Sequence, residues 1–270
     1  MLFARRREVP QFHPVPRGQE LIRFEHLRKA FGPKVVYEDV DLSVKAGETL
    51  TVIGGSGTGK SVLLKCLIGL LRPDAGRVLF QGHDLTGFRE EDFLEVRRRV
   101  AMVFQGSALF DSLTVGENVA YPLREHFPKM KFSEVRERVL QKLAMVNLKG
   151  VENLKPSELS GGMRKRVGLA RAIATDPEVI LWDEPTTGLD PLTTETIDTM
   201  IKSMKEQLGC TSIVVTHDMS SAFDVSDRIA MLARHRILAV GTPEQMRASP
   251  IPEVRAFLDA RPPVQLPEER

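Results

Sequence analysis

Residues 54–61 read Gly-Gly-Ser-Gly-Thr-Gly-Lys-Ser, a spacing of glycines, one lysine and one hydroxyl suited to gripping a phosphate chain. Gly54, Gly55, Gly57 and Gly59, with Ser56 and Thr58 between them, let successive backbone N–H groups turn toward one oxyanion. A helix starting here points its positive end at the same spot. Lys60 is placed to reach the β- and γ-phosphates of a nucleotide, and the Ser61 hydroxyl to ligate Mg²⁺. A Gly-rich turn alone would explain the glycines, but such a full string arises by chance in roughly one chain of this length in a hundred.

Further polar residues follow apolar runs. Val179-Ile180-Leu181-Trp182 is succeeded by Asp183 and Glu184. Ligands of an open α/β sheet sit at the carboxyl ends of its strands. Asp183 is therefore expected to hold Mg²⁺ and Glu184 to orient or deprotonate the attacking water. Gln105 and His217 follow apolar runs ending at Phe104 and Thr216. Gln105 can touch both metal and water; His217 can contact the γ-phosphate and hold Glu184. A residue of either type after a strand is more often a satisfied loop residue. Their common position at the phosphate-loop edge of the expected sheet favours the catalytic reading.

The elements that must carry these residues are legible in the hydrophobic pattern. Residues 21–31 and 35–44 alternate as half-buried strands do, and 49–53 is a short β-branched run bounded by glycine. Helical periodicity occupies 61–70, 91–98, 133–147, 162–175 and 193–208, with buried-type strands at 100–104, 179–182 and 212–216. This alternation predicts βαβ units and a largely parallel sheet. Residues 229–232 and 237–240 read as a late hairpin, and the stretch 106–157, without a convincing strand, as a helical insertion.

Composition narrows the function classes. The chain has 270 residues, 42% hydrophobic and 27% charged, so it can build a core without staples. No run approaches the ~20 apolar residues of a spanning helix. A net charge of +2 gives no general field for nucleic acid. Cys66 and Cys210 lie far apart, which suits packed thiols in a reducing cytosol. No apolar run follows the basic residues 1–7, so a secretory leader is not expected.

A second anion-ready helix start appears at Leu159-Ser160-Gly161-Gly162-Met163, followed by Arg164, Lys165 and Arg166. Ser160 is a sound N-cap and the glycines permit close approach. It is either a structural cap or a piece of a partner's nucleotide site. Together with the phosphate loop, Gln105, Asp183-Glu184, Gly188-Leu189-Asp190 and His217, it makes residues 21–244 resemble the ATP-binding cassette (ABC) family. The resemblance implies an α/β P-loop NTPase, the ABC nucleotide-binding domain: a mostly parallel core, an N-terminal antiparallel β subdomain and an α-helical subdomain. It implies a head-to-tail dimer enclosing two ATP molecules. Ser160, Gly161 and Gly162 of one copy would close on the γ-phosphate held by Lys60 of the other, with Asp190 at the seam. Phe31 falls where the family places an aromatic that stacks on adenine.

A narrower resemblance, to the ATPase subunits of Mla/Mce-type lipid transporters, rests on residues 54–65, 105–115, 118–125, 159–174 and 183–191, with Met163 where most cassettes carry Gln. It implies ATP hydrolysis powering phospholipid or other lipid transport between bacterial envelope membranes. The chain would sit peripherally on the cytoplasmic face of the inner membrane, bound to transmembrane permease subunits. It would reach an MCE-type lipid-binding protein through them and have a small cytosolic accessory subunit as a further partner; nucleic acid is not expected. The family's permease-docking surface corresponds to Ala108, Leu109, Phe110 and Leu113, which could instead pack on the helical insertion. Gly55 stands in place of a common Pro, and Trp182 is larger than usual.

The expected organisation is a lead-in at 1–19, an ATPase domain at 20–245 with a helical subdomain at about 106–160, and a tail at 246–270. Arg5, Arg6 and Arg7 read as a solvated end or a lipid contact. Residues 252–260 read as a short amphipathic helix that docks on a neighbouring chain or on its own domain. An ABC transporter of another solute, such as an amino acid, and a nontransport cassette in DNA repair or translation are the rival functions. The second usually carries tandem cassettes or zinc cysteines, and neither is present.

Overall fold

The computed structural model describes residues 10–259. The Arg5–Arg7 run and the residues from 260 onward lie outside the described residues. Ten strands form one sheet: β1 (Glu20–Phe31), β2 (Lys34–Lys45), β3 (Thr49–Ile53), β4 (Ala75–Phe80), β5 (His83–Asp84), β6 (Val100–Val103), β7 (Val179–Asp183), β8 (Thr211–Val215), β9 (Arg228–Ala233) and β10 (Arg236–Gly241). Their spatial order is β5-β4-β1-β2-β10-β9-β3-β8-β7-β6. β1, β2, β4 and β5 pair antiparallel; β9, β3, β8, β7 and β6 run parallel. β9 and β10 make the antiparallel late hairpin. The two halves of the sheet meet where β10 pairs with β2 at a single registered position, Arg236 with Asp39.

The helices are α1 (Lys60–Leu67), α2 (Phe93–Arg99), α3 (Val115–His126), α4 (Phe132–Met145), α5 (Gly161–Ala172), α6 (Pro191–Leu208), α7 (Met219–Val225), α8 (Pro243–Arg247) and α9 (Pro252–Leu258). No described helix is long and apolar enough to cross a membrane. All five residues of β3, of β7 and of β8 are buried, as strands covered on both faces must be. Trp182 is 1% exposed beneath the sheet, and its indole N–H donates to Ser212 Oγ at 3.2 Å. Between β6 and β7, helices α3, α4 and α5 share an apolar core that includes Val119, Leu123, Val139, Leu143 and Val167.

Several elements differ from the sequence reading. The β4–β5 hairpin was not expected: its turn, Gln81-Gly82, has φ of 51° and 77°, the left-handed pair of a type I′ turn, with Gln where Asn or Asp is usual. α1 ends at Leu67 because Gly69 turns left-handed at φ 70°, and α5 gives way to a 3₁₀ turn at Ile173–Thr175. The lead-in is anchored: Phe12 is buried, 5.3 Å from the Phe80 ring and edge-on to His83. The last helix packs on its own domain within the chain. Val254, Phe257 and Leu258 join Ile229, Met231 and Met246 in one cluster.

Candidate functional site

β3 delivers the phosphate loop and α1 receives it. Gly54 passes under β9 so closely that a Cβ would stand 2.3 Å from Leu232 O. Gly59, at φ 101°, lies against β2, where a Cβ would meet Val36 Cγ1 at 2.3 Å. The Tyr37 hydroxyl, buried, donates to the Gly59 carbonyl. Burial pushes the Tyr37 phenol well above its ordinary range, so it stays a neutral donor. Gly57 has open space where its Cβ would be, leaving the mouth of the loop clear. Lys60 is buried, with its ammonium donating to Gly54 O at 2.9 Å and Gly55 O at 3.1 Å.

Asp183 and Glu184 leave the end of β7 in different directions. Asp183 accepts from Ser61 Oγ, which sets two hard oxygen ligands side by side, a pairing that suits Mg²⁺. Glu184 takes a left-handed backbone, φ 50°, with its N–H donating to Val215 O at 2.9 Å. Its Oε1 stands 3.6 Å from Lys60 Nζ. Its Oε2 accepts from Thr187 Oγ1 at 3.0 Å and lies 2.7 Å from His217 Nδ1. An open loop cradle with a buried cation, two adjacent oxygen ligands and a carboxylate beyond them fits a nucleotide triphosphate with its metal.

Phe31, Gly57, Lys60, Ser61, Gln105, Glu184 and His217 line one cavity of about 480 Å³, and Asp183 meets it only through Ser61. Phe31, at the tip of β1, is half exposed, lines the cavity and has the Lys29 ammonium over its ring, 5.1 Å from the centroid. Ser160, Gly161 and Gly162 are not in the cavity's lining. Ser160 Oγ caps α5 by accepting from Met163 N at 3.2 Å. Asp190 caps α6 by accepting from the Thr193 N–H at 3.1 Å and from the Thr193 hydroxyl. Those bonds hold the Asp190 carboxyl below its usual range. A Cβ on Gly162 would stand 2.8 Å from Thr193 Cγ2, so the two helix starts lie together on the surface, apart from the phosphate loop.

Beyond Gln105 the chain makes a turn with Ser107 and Ala108 both left-handed, φ 63° and 48°. Arg171 spans it, donating to Ser107 O at 2.9 Å and Ala108 O at 2.8 Å. Buried Asn118 then ties down Phe110 through both its N–H and its carbonyl. Phe110 and Tyr121, with ring centroids 4.9 Å apart, stay partly exposed beside a groove of about 360 Å³. Of the four residues in the docking reading, Ala108 and Phe110 are exposed and Leu113 is half-buried, whereas Leu109 packs on the helical core.

Tyr37, Val36 and Thr187 belong to this site and were given no role from sequence; Lys165 was read only as part of the basic, anion-ready start of α5, not as a contact of the 185–187 turn. Lys165 Nζ donates to Pro185 O at 2.8 Å and Thr187 O at 2.7 Å. The basic helix start pointed to an anion, not to backbone carbonyls of a distant turn, and a tyrosine in an alternating strand resembles core.

A sequence model of the ABC transporter family matches residues 37–187. The chain is 44% identical over 251 residues to the probable ribonucleotide transport ATP-binding protein mkl of Mycobacterium tuberculosis, spanning 92% of this chain and 70% of that one. It is 42% identical over 241 residues to the intermembrane phospholipid transport system ATP-binding protein MlaF of Haemophilus influenzae, covering 89% and 91% of the two chains. The dimeric post-hydrolysis structure of the ATP-binding cassette MJ0796 with ADP and Pi superposes with a TM-score of 0.77 at 33% identity, over 83% of this chain and 99% of that one. The chain belongs to the ABC transporter family, as one of its ATPases.

Proposed function

We propose that the chain works as a head-to-tail dimer, powering a membrane transporter that moves phospholipid between bacterial envelope membranes. One observation carries the paired-site reading. Lys60, Gln105, Glu184 and His217 line one cavity while Ser160, Gly161 and Gly162 stand on an exposed surface elsewhere. A second copy can bring its own Ser160-headed helix to that cavity, as the dimeric cassette neighbours suggest. The phospholipid assignment rests on the MlaF relatives; the name of mkl supports a nucleotide cargo instead.

In this reading the backbone N–H groups of residues 54–61 and the Lys60 ammonium bind the β- and γ-phosphates, and Phe31 stacks on adenine. Ser61 and Asp183, with Gln105, would hold Mg²⁺, which neutralises charge on the phosphates when bound. Glu184 accepts the proton of the attacking water, and His217 orients Glu184 while facing the γ-phosphate. Asp190 lies at the seam. Phe110 and Tyr121 offer an apolar dock to a permease at the cytoplasmic face, so the chain acts on the membrane through that partner. An MCE-type lipid carrier would be reached through that permease, with a small cytosolic protein as a further partner.

Purification of the tagged chain from membranes, followed by mass spectrometry of bound proteins and lipids, tests the assignment. A permease with phospholipid is the expected result. A ribosome- or DNA-bound assembly would overturn the transport reading, and a permease without lipid would favour another cargo.

A further inference from the structure

Lys165 sits in the second turn of α5, five residues after Ser160. That is an unfavourable place for a cation, because the positive end of the helix dipole lies beneath it and no acidic residue occupies the first turn. Burial of the ammonium also depresses its pKa, while nearby Glu184 acts in the opposite sense. Its compensation is geometric: two charge-assisted hydrogen bonds, to Pro185 O at 2.8 Å and Thr187 O at 2.7 Å.

Those two carbonyls flank the turn that aims Glu184. Glu184 is itself in the left-handed region, φ 50°, a conformation that persists only where its surroundings over-determine it. The turn's own backbone bond, Thr187 N to Glu184 O, is long at 3.4 Å. Thr187 therefore has two duties. Its carbonyl accepts from Lys165, and its hydroxyl donates to Glu184 Oε2 at 3.0 Å. The path from Lys165 to the Glu184 carboxylate thus runs through one residue.

We propose that Lys165 is a positioning residue for Glu184, clamping the 185–187 turn to α5 so that the aim of Glu184 depends on where the Ser160-headed helix stands. The inference rests on the paired-site reading in one respect. If Ser160, Gly161 and Gly162 serve the partner's nucleotide, the same rigid helix that meets one ATP sets the base for the other. Lys165 then links the two sites of the dimer through a single chain. A lysine held only for local packing would not tie hydrolysis to helix position.

The test compares full-length wild type, Lys165→Met and Lys165→Arg. Methionine keeps the length and apolar stem and removes the donors; arginine keeps donors. Hydrogen exchange is measured on the nucleotide-free proteins over residues 184–190. Affinity for a fluorescent ATP analogue is measured directly, and ATP hydrolysis over a range of ATP concentrations. In Lys165→Met, exchange in the turn is expected to accelerate about tenfold with α5 protection intact. Analogue affinity should stay within about twofold, while kcat falls about tenfold or more and the Hill coefficient drops toward one. Lys165→Arg should recover most of the lost kcat. Unchanged exchange in the turn, wild-type kcat in Lys165→Met, or an arginine variant as impaired as the methionine one overturns the proposal. A Glu184→Gln chain that stays monomeric in MgATP overturns the paired-site reading instead, and the exchange measurement then decides the role of Lys165 by itself.

Discussion

His217 Nδ1 lies 2.7 Å from Oε2 of Glu184, while the other carboxylate oxygen stands 3.6 Å from the Lys60 ammonium. One carboxylate is thus fixed between the residue assigned to hold the phosphates and the one assigned to sense them. Replacing it by an amide keeps the shape and removes the base. Glu184→Gln is expected to lower kcat by about 10²–10⁴ while still binding ATP, so that a dimer accumulates in MgATP on size-exclusion chromatography. Turnover at the wild-type rate would remove Glu184 from the role of base.

The separation of Ser160 and Gly162 from the cavity gives a complementation experiment. Lys60→Ala removes charge-assisted phosphate contacts of about 1.5–3 kcal/mol each, so ATP affinity should fall by more than tenfold. Gly162→Val should abolish hydrolysis with monomer affinity for ATP unchanged, because a side chain there collides with Thr193, whose Cγ2 is 2.8 Å from the Cβ position. Each variant alone should be inactive, and their mixture should regain activity from dimers holding one intact site. A mixture as inactive as its components would argue against a shared site.

Tyr37 supports the loop from beneath through its hydroxyl on Gly59 O. Tyr37→Phe keeps the ring and leaves that carbonyl without this donor, a loss of about 0.5–1.5 kcal/mol. Both Tm and ATP affinity should decline, the latter by about two- to tenfold. Calorimetry and nucleotide titration on the same preparation check this; unaltered affinity would make Tyr37 a core residue only.

Burial pushes the thiol of Cys66 up to about 12 and that of Cys210 up to about 11. Raised values mean less thiolate than an ordinary cysteine at any pH below them. The folded protein should therefore resist thiol reagents at pH 8, and labelling should appear only on denaturation. Rapid labelling of the native protein at pH 8 would contradict the packing described.

The phosphate loop was legible because its chemistry is contiguous: eight adjacent residues encode the cradle, the cation and the hydroxyl. Asp183, Gln105 and His217 were legible because each interrupts an apolar run at the same sheet edge. What stayed hidden depends on contacts across the fold. The Lys165 clamp joins residues 20 and 22 positions apart, and in one dimension Lys165 reads only as part of an anion-ready basic helix start. Phe12 sits in a Pro-rich stretch with no period, and its aromatic neighbours come from β4, β5 and the segment after β5. α3 had a readable start, the Thr114–Glu117 capping box, but Gly116 and the internal Pro122 blur its helical signal.

The single rung between β2 and β10 divides labour within the chain. Phe31 hangs from the antiparallel side of that seam, and residues 54–61 hang from the parallel side. The labour is not wholly partitioned, because Val36 and Tyr37 of β2 reach across to Gly59. Substitutions at Phe31 itself can retune the rim in a lineage, whereas changes at Val36 or Tyr37 pass directly into the grip on the triphosphate.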